Sequence, residues 1–203
     1  MDWLQIFTLV TGVLYIVYEI RQKNFMWVVG IATSLAAMWV FFRQGLYASF
    51  GLNTYYFITS FIGLWHWRRD KKLAADTSDE KKPDAVVLNA LTWRAVTVSA
   101  VVCVLMTVAL SSGMSFMHDL GILKENPMSL LDSAVTALSI VATWWLVRSY
   151  LEQWLLWIVA DLMSTYLCAS QGMWWMALLY LLYTVSAIYG LKYWKSRGTY
   201  LPE

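Results

Sequence analysis

The sequence predicts an all-α integral membrane protein with seven transmembrane helices. Three observations favour this fold class: the chain is 60% hydrophobic and only 14% charged, seven apolar runs have the length of a membrane span, and most Lys and Arg fall on one side of the predicted membrane. A soluble domain is about 45–50% apolar and about 25% charged, so this chain has too little charge to coat its apolar surface in water. The net charge of only +2 argues against a nucleic-acid partner.

Each predicted helix is an apolar run whose length is close to the roughly 20 residues needed to cross a bilayer. The runs are residues 3–18, 26–42, 48–67, 95–114, 128–147, 154–170 and 173–194. Little more than Ser170-Gln171-Gly172 separates the last two runs, which predicts a tight turn. Residues 68–94 are the only long polar segment, a mixed-charge linker for which no regular structure is expected.

The basic residues predict the orientation of these spans. With an outside N-terminus, the outer segments carry only Arg43 and Lys124, and the inner segments carry the rest of the fifteen Lys and Arg. Cytoplasmic loops are enriched in Lys and Arg. We therefore expect a multi-pass protein with its N-terminus outside and its C-terminus in the cytoplasm.

The first three spans match the last three, without gaps, at the constant offset that aligns Arg21 with Arg148. The shared residues are Arg21/Arg148, Trp27/Trp154, Ile31/Ile158, Leu35/Leu162, Gln44-Gly45/Gln171-Gly172, Leu52/Leu179, Tyr56/Tyr183, Gly63-Leu64/Gly190-Leu191 and Trp67/Trp194. Apolar composition alone would match some Leu and Ile. Shared Arg, Trp, Gln-Gly and Gly at one offset favour true repetition.

The repeat predicts a 3+1+3 arrangement of parallel three-helix repeats, which is a SWEET-like layout. Residues 1–67 would form the first repeat, 68–94 a cytoplasmic linker, 95–127 the connector helix with an outer loop, and 128–203 the second repeat with a cytoplasmic tail. Parallel repeats are a transporter architecture, with substrate bound near the membrane midplane.

The sixth predicted span carries the clearest candidate site. One helix face holds residues at alternating steps of three and four: Trp154, Trp157, Asp161, Ser164 and Cys168. A carboxylate inside a span is costly and usually faces a cavity or a partner, although it can also be a structural acid. Two Trp rings beside it would form a cage for a flat cation, whereas interfacial anchoring is the commoner use of membrane Trp.

Three other spans carry polar stripes at helical spacing. The candidates are Asp132, Thr136, Ser139 and Thr143 in span five, Asn53, Tyr56, Ser60 and Gly63 in span three, and Tyr180 and Tyr183 in span seven. Small and hydroxylated residues at these spacings also let membrane helices pack closely. Converging on one cavity, they would line a pathway for a polar solute.

The sequence lacks the common motifs of hydrolases, metalloproteases and nucleotide-binding enzymes. The sequence has no Gly-x-Ser-x-Gly elbow, no His-Glu-x-x-His and no phosphate-binding loop. We expect no catalytic residue, no cofactor and no metal site. A retinal protein would need a Lys deep in the last span, and Lys192 lies at its inner end.

The decapeptide from Glu152 to Asp161, EQWLLWIVAD, resembles the signature of the Pnu family of bacterial vitamin transporters. The flank from Asp132 to Ala142, the Gln171-Gly172 pair and the Tyr180 and Tyr183 region also resemble that family, so the similarity covers nearly the whole chain. The resemblance implies facilitated diffusion of a B-vitamin across the bacterial inner membrane and trapping by a cytoplasmic kinase. It also implies a homotrimer in membrane lipid, and contact of Trp154 and Trp157 with the substrate.

Two positions bear on which vitamin is carried. Nicotinamide riboside members of the family tend to have Asn where this chain has Asp161, and Gln where it has Asn53. Both vitamins carry a permanently positive heteroaromatic ring, and a carboxylate would also pair with the aminopyrimidine of thiamine. The expected substrate is therefore thiamine, with nicotinamide riboside as the alternative and a sugar as a less favoured one.

Overall fold

The computed structural model describes residues 14–43, 47–77, 86–122 and 128–201, and every contact or absence given below concerns these residues. Helix α1 is described over residues 14–20. The other elements are α2 Phe25–Arg43, α3 Tyr47–Thr77, β1 Val86–Leu88, α4 Trp93–Asp119, α5 Ser129–Val147, α6 Gln153–Ser170, α7 Trp174–Arg197 and β2 Gly198–Tyr200.

Seven helices make up most of the described residues, which confirms the prediction of a helical fold. Each predicted span coincides with one helix, except that most of the first run, residues 3–13, lies outside the described residues. Among the described residues, three helices are long and apolar enough to cross a membrane: Trp93–Asp119, Ser129–Val147 and Met176–Arg197. A shorter apolar helix covers Phe25–Trp39. A membrane span must hydrogen-bond its own backbone N–H and C=O groups, because lipid offers no partner for them. An apolar run without an internal proline meets this requirement as an α-helix.

The expectation that residues 68–94 lack regular structure is wrong at both ends of the segment. Helix α3 continues to Thr77, and strand β1 pairs in parallel with β2, with Val86 opposite Gly198 and Leu88 opposite Tyr200. The physical reason is the short apolar run at 86–88, whose side chains are buried. Residues 78–85 of the predicted linker lie outside the described residues.

The chain divides into two compact units, each described by itself. The first unit contains α1 to β1 together with Leu146–Tyr150 and the residues from Lys192 onward. The second contains Ala90–Trp145 and Leu151–Leu191.

Three fully buried Trp rings form the core of the first unit. The ring centroids of Trp27 and Trp67 are 5.1 Å apart, and those of Trp67 and Trp194 are 6.3 Å apart. The indole nitrogen of Trp67 donates to the carbonyl of Leu146 at 3.1 Å, and that of Trp194 donates to the carbonyl of Ile20 at 2.9 Å. These bonds satisfy carbonyl groups that the ends of α1 and α5 leave without an intrahelical partner.

A buried polar network holds β1 in the same unit. The side-chain amide of Gln22 donates to the carbonyl of Val87 at 2.7 Å and accepts from its N–H at 2.8 Å. It also donates to the hydroxyl of Ser149 at 3.3 Å. Asn89 donates to Asp70 at 2.8 Å, and Asp70 accepts a salt bridge from the neighbouring Arg69 at 3.0 Å.

Positions that match in the sequence repeat share local structure. Gln22 and Ser149, one such matching pair, are the two non-glycine residues with positive φ among those described, at 47° and 55°. A Cβ added to Gly63 would overlap the ring of Trp27. A Cβ added to Gly190 would overlap the ring of Trp154 in the same way.

Helix α4 of the second unit has no buried residue. Its apolar side chains stay exposed along its length; Trp93 is 78% exposed and Leu105 is 63% exposed. Ser99 accepts a hydrogen bond of 2.9 Å from the indole nitrogen of Trp145 on α5. An apolar helix exposed in this way is suited to contact with lipid.

Candidate functional site

Helix α6 ends in the tight turn that the sequence predicted. The N–H of Gly172 bonds to the carbonyl of Ala169 at 3.0 Å, and the N–H of Met173 bonds to that of Cys168 at 2.9 Å. Gly172 has a φ of 74°, which a residue with a side chain rarely adopts. The turn therefore sends α7 back along the second unit directly after α6 ends.

The predicted stripe is the buried face of α6. Trp154, Asp161, Ser164 and Cys168 are all buried, and Trp157 is partly buried. The side chain of Ser164 donates to the carbonyl of Ala160 at 2.8 Å, which satisfies its hydroxyl within the helix. The helical spacing that defined the stripe thus corresponds to one inward surface.

Trp154 has a clear packing role on this face. Its ring occupies the space directly over Gly190 of α7, so any larger residue at 190 would displace it. Only 3% of the side chain is exposed. This is the arrangement that Trp27 has over Gly63 in the other unit, where it forms part of a Trp core.

Trp157 and Asp161 carry the other polar groups of this face, an indole nitrogen and a carboxylate. The indole nitrogen of Trp157 is buried and has no hydrogen-bond partner among the described residues. Asp161 is 7% exposed, and no basic side chain in the described part of the chain forms an ion pair with it. An unpaired carboxylate in an apolar interior is costly unless a cation or polar ligand accompanies it.

Two tyrosines of α7 lie in the same neighbourhood. Tyr180 and Tyr183 form an edge-to-face pair with ring centroids 6.1 Å apart. Both interact electrostatically with Asp161, and Tyr180 also interacts with Asp132 and Cys168. Polar groups from α5, α6 and α7 therefore come together within the second unit.

The hydroxyl groups of α5 are bonded to their own helix. Thr136 donates to the carbonyl of Asp132 at 3.0 Å, Ser139 to that of Val135 at 2.8 Å, and Thr143 to that of Ser139 at 2.8 Å. These bonds satisfy each donor without a ligand, which is what the packing interpretation requires. The oxygen lone pairs stay available to accept a hydrogen bond.

The remaining two candidates, Asn53 and Tyr56, belong to the first unit. Both are partly buried on α3. The ring of Tyr56 is tilted against that of Tyr55 at 5.7 Å, and its carbonyl accepts a hydrogen bond of 2.7 Å from Ser60. Their part in substrate binding stays a prediction.

One residue that the sequence analysis did not single out has the features of a site residue. Gln153 is fully buried, and neither its amide nitrogen nor its amide oxygen has a hydrogen-bond partner among the described residues. The sequence did not indicate Gln153 because it follows Glu152 at the start of a span, where polar residues usually lie at the membrane interface. Extending the stripe backward by one i, i+4 step from Trp157 would have found it.

The described residues contain no group of three or more His, Cys, Asp or Glu that could hold a metal ion. The polar groups described above on α5, α6 and α7 are carboxylates, phenols, hydroxyls and amide or indole groups. Such a surface is suited to binding a polar organic cation.

Comparison with known proteins identifies the family. Residues 2–196 match the family described as nicotinamide mononucleotide transporter. This chain belongs to that family. The resemblance to the Pnu family is therefore confirmed, and the protein is a multi-pass membrane transporter.

Two relatives are described as nicotinamide riboside transporters. The nicotinamide riboside transporter PnuC of Escherichia coli (strain K12) is 28% identical over 208 residues, which cover 96% of this chain and 85% of that protein. The nicotinamide riboside transporter PnuC of Neisseria mucosa is 26% identical, with 95% of this chain and 72% of that protein covered. Both relatives are transporters, which agrees with the exclusion of an enzyme.

A solved structure has a similar fold. The crystal structure of the vitamin B3 transporter PnuC aligns with a TM-score of 0.62 at 25% identity, covering 92% of this chain and 78% of that one. The names of these relatives refer to nicotinamide riboside or vitamin B3, and none of them refers to thiamine. The alternative substrate is therefore better supported than the thiamine that Asp161 and Asn53 favoured.

Proposed function

We propose that this chain carries nicotinamide riboside into the cytoplasm across the bacterial inner membrane. The observation that carries the proposal is the match, over 95% or more of this chain, to two nicotinamide riboside transporters. The inward surface around Asp161 supports it, because that carboxylate lacks a basic partner among the described residues and the substrate is a cation.

Trp157 and Asp161 are the proposed centre of the binding site. The pyridinium ring would stack on the indole of Trp157, where cation–π attraction strengthens as water is excluded. Asp161 would balance the positive charge and accept hydrogen bonds from ribose hydroxyls. Tyr180 and Tyr183 would add hydroxyl groups from α7.

The other predicted contacts have supporting roles in this proposal. Trp154, held over Gly190, would fix the turn of α6 that presents Trp157. The oxygens of Thr136, Ser139 and Thr143 would accept hydrogen bonds from α5.

Transport itself is proposed to be facilitated diffusion. The sequence has no nucleotide-binding loop with which to hydrolyse ATP. Net uptake would then depend on a cytoplasmic kinase that phosphorylates the product and so prevents its return. We further propose that the active form is a homotrimer, as the family resemblance implies.

The 3+1+3 layout is part of the same proposal. The shared packing of Trp27 on Gly63 and Trp154 on Gly190 supports it, as do the positive φ angles at the matching positions Gln22 and Ser149. Residues 1–67 and 128–203 would be the repeats, joined by the cytoplasmic linker 68–94 and the connector 95–127. The basic residues support an outside N-terminus and a cytoplasmic C-terminus.

Ligand titration of the purified protein tests the substrate. Nicotinamide riboside, thiamine and glucose are added separately while binding is followed by calorimetry. We expect saturable binding of nicotinamide riboside, and weaker or no binding of the other two. Tighter binding of thiamine or of glucose would contradict the proposed substrate.

A further inference from the structure

Gln153 is the least explained buried polar group in the second unit. Its side chain is 0% exposed, and both its amide nitrogen and its amide oxygen lack a hydrogen-bond partner among the described residues. Buried side-chain amides are nearly always hydrogen-bonded, and an unsatisfied one destabilises the fold. A fully buried amide with both ends unused is suited to a ligand that satisfies both.

The equivalent position in the first unit shows that folding does not require an amide there. Met26, which the sequence repeat aligns with Gln153, is also 0% exposed. It likewise lies one residue before a Trp that packs on a glycine. Because an apolar side chain fills that position, packing alone does not explain Gln153.

Gln153 extends the proposed binding surface by one helical turn. It precedes Trp157 by four residues and Asp161 by eight, so the three side chains share one face of α6. At 1.5 Å per residue, Gln153 and Asp161 are about 12 Å apart along the helix axis, with Trp157 midway. That spacing is comparable to the length of a nicotinamide nucleoside.

We propose that Gln153 recognises the carboxamide of the nicotinamide ring through a pair of antiparallel amide–amide hydrogen bonds. The proposal rests on the proposed function. With the ring stacked on Trp157, the carboxamide would point toward Gln153 and the ribose toward Asp161. The Gln153 nitrogen donates to the carboxamide oxygen, and the Gln153 oxygen accepts from the carboxamide nitrogen.

This pairing distinguishes nicotinamide from its closest analogue. Nicotinic acid riboside has a carboxylate in place of the carboxamide, so it offers no N–H to the Gln153 oxygen. Its negative charge would also face that oxygen. A site that hydrogen-bonds a substrate N–H rejects an analogue without it, because a buried acceptor is then left unpaired.

The test measures affinity for both nucleosides in wild-type protein and in Gln153→Met, the residue that the first unit has at this position. We expect the wild type to prefer nicotinamide riboside. In Gln153→Met its affinity should fall about tenfold or more, as expected for two lost hydrogen bonds. The preference over nicotinic acid riboside should disappear, while the melting temperature stays equal or rises.

The outcomes separate this inference from the proposed function. Equal affinity of the wild type for the two nucleosides would overturn the role of Gln153, and this measurement needs no variant. Unchanged nicotinamide riboside binding by a folded Gln153→Met would also overturn it, with the proposed function intact. Failure of the wild type to bind nicotinamide riboside at all would overturn both.

Discussion

Two tryptophan–glycine contacts, Trp27 on Gly63 and Trp154 on Gly190, have the same geometry in the two units. The surroundings of these pairs differ. At the positions of Met26, Gly30 and Ser34 in α2, helix α6 has Gln153, Trp157 and Asp161. Features present in both copies are explained by packing, and the Gln, Trp and Asp that only α6 has are not required by that packing. The difference separates the structural Trp from the proposed binding Trp.

The largest expected effect tests the shared contact. Trp27→Ala and Trp154→Ala should each lower the free energy of unfolding by about 3–5 kcal/mol, because each removes a buried ring. Thermal unfolding in detergent measures both variants. Trp93→Ala is the control, since its side chain is 78% exposed and its loss should leave the melting temperature unchanged. If Trp154→Ala kept the wild-type melting temperature while Trp27→Ala lost stability, the two Trp–Gly contacts would not be equivalent.

The second prediction concerns the pair with positive φ. Gln22→Ala removes two hydrogen bonds to Val87 and one to Ser149, so we expect a loss of about 2–3 kcal/mol of stability. Ser149→Gly also loses the hydrogen bond from Gln22, but glycine adopts a φ of 55° without strain, so its stability should stay within about 1 kcal/mol of the wild type. Denaturation of the two variants side by side measures this contrast. An equal loss in both would mean that the backbone turn, and not the Gln22 amide, holds β1.

The third prediction concerns the residues that differ. Trp157→Leu keeps an apolar side chain but loses cation–π attraction, which contributes about 2 kcal/mol when water is excluded. Affinity for nicotinamide riboside should fall about 30-fold, with little change in melting temperature. Calorimetric titration measures the affinity. The matched control is Gly30→Ala, since Gly30 is the residue of α2 that the repeat aligns with Trp157. A similar loss of affinity in this control would contradict the assignment of binding to α6.

The smallest expected effect concerns Lys71. Its counterpart in the second copy of the repeat is Gly198, which carries no charge. Burial, with a smaller contribution from the charge of Lys23, lowers the pKa of Lys71 from 10.5 to about 8. Between these values the unfolded chain binds more protons than the folded one, so stability should rise with pH above about 8. Melting temperatures of wild type and Lys71→Met at pH 7.5, 9 and 10 measure it. The rise should be smaller in the variant, and parallel curves would contradict the cause.

The sequence was sufficient for the helices and for the stripe on α6, because both depend on local patterns of apolar and polar residues. It was insufficient for β1, since a three-residue strand is defined only by its pairing with Gly198–Tyr200. Spacing alone also gave Trp154 and Trp157 the same role. Their difference depends on how closely α7 approaches Trp154 at Gly190, which spacing does not show.

The substrate shows a related limit. A single carboxylate, Asp161, balances the charge of either vitamin, so it could not distinguish thiamine from nicotinamide riboside. The preference for thiamine followed from two positions, whereas the relatives match over nearly the whole chain. Recognition of the neutral end of the substrate, which we assign to Gln153, depends on burial that no sequence pattern displays.

Uptake of labelled nicotinamide riboside into proteoliposomes tests the central claim most directly. Wild-type protein should give saturable uptake that stops when the inner concentration equals the outer one, without an ion gradient or ATP. Trp157→Leu, reconstituted at equal density, should reduce uptake at subsaturating substrate. Wild-type uptake no faster than in protein-free liposomes, or accumulation above the outer concentration, would contradict the account.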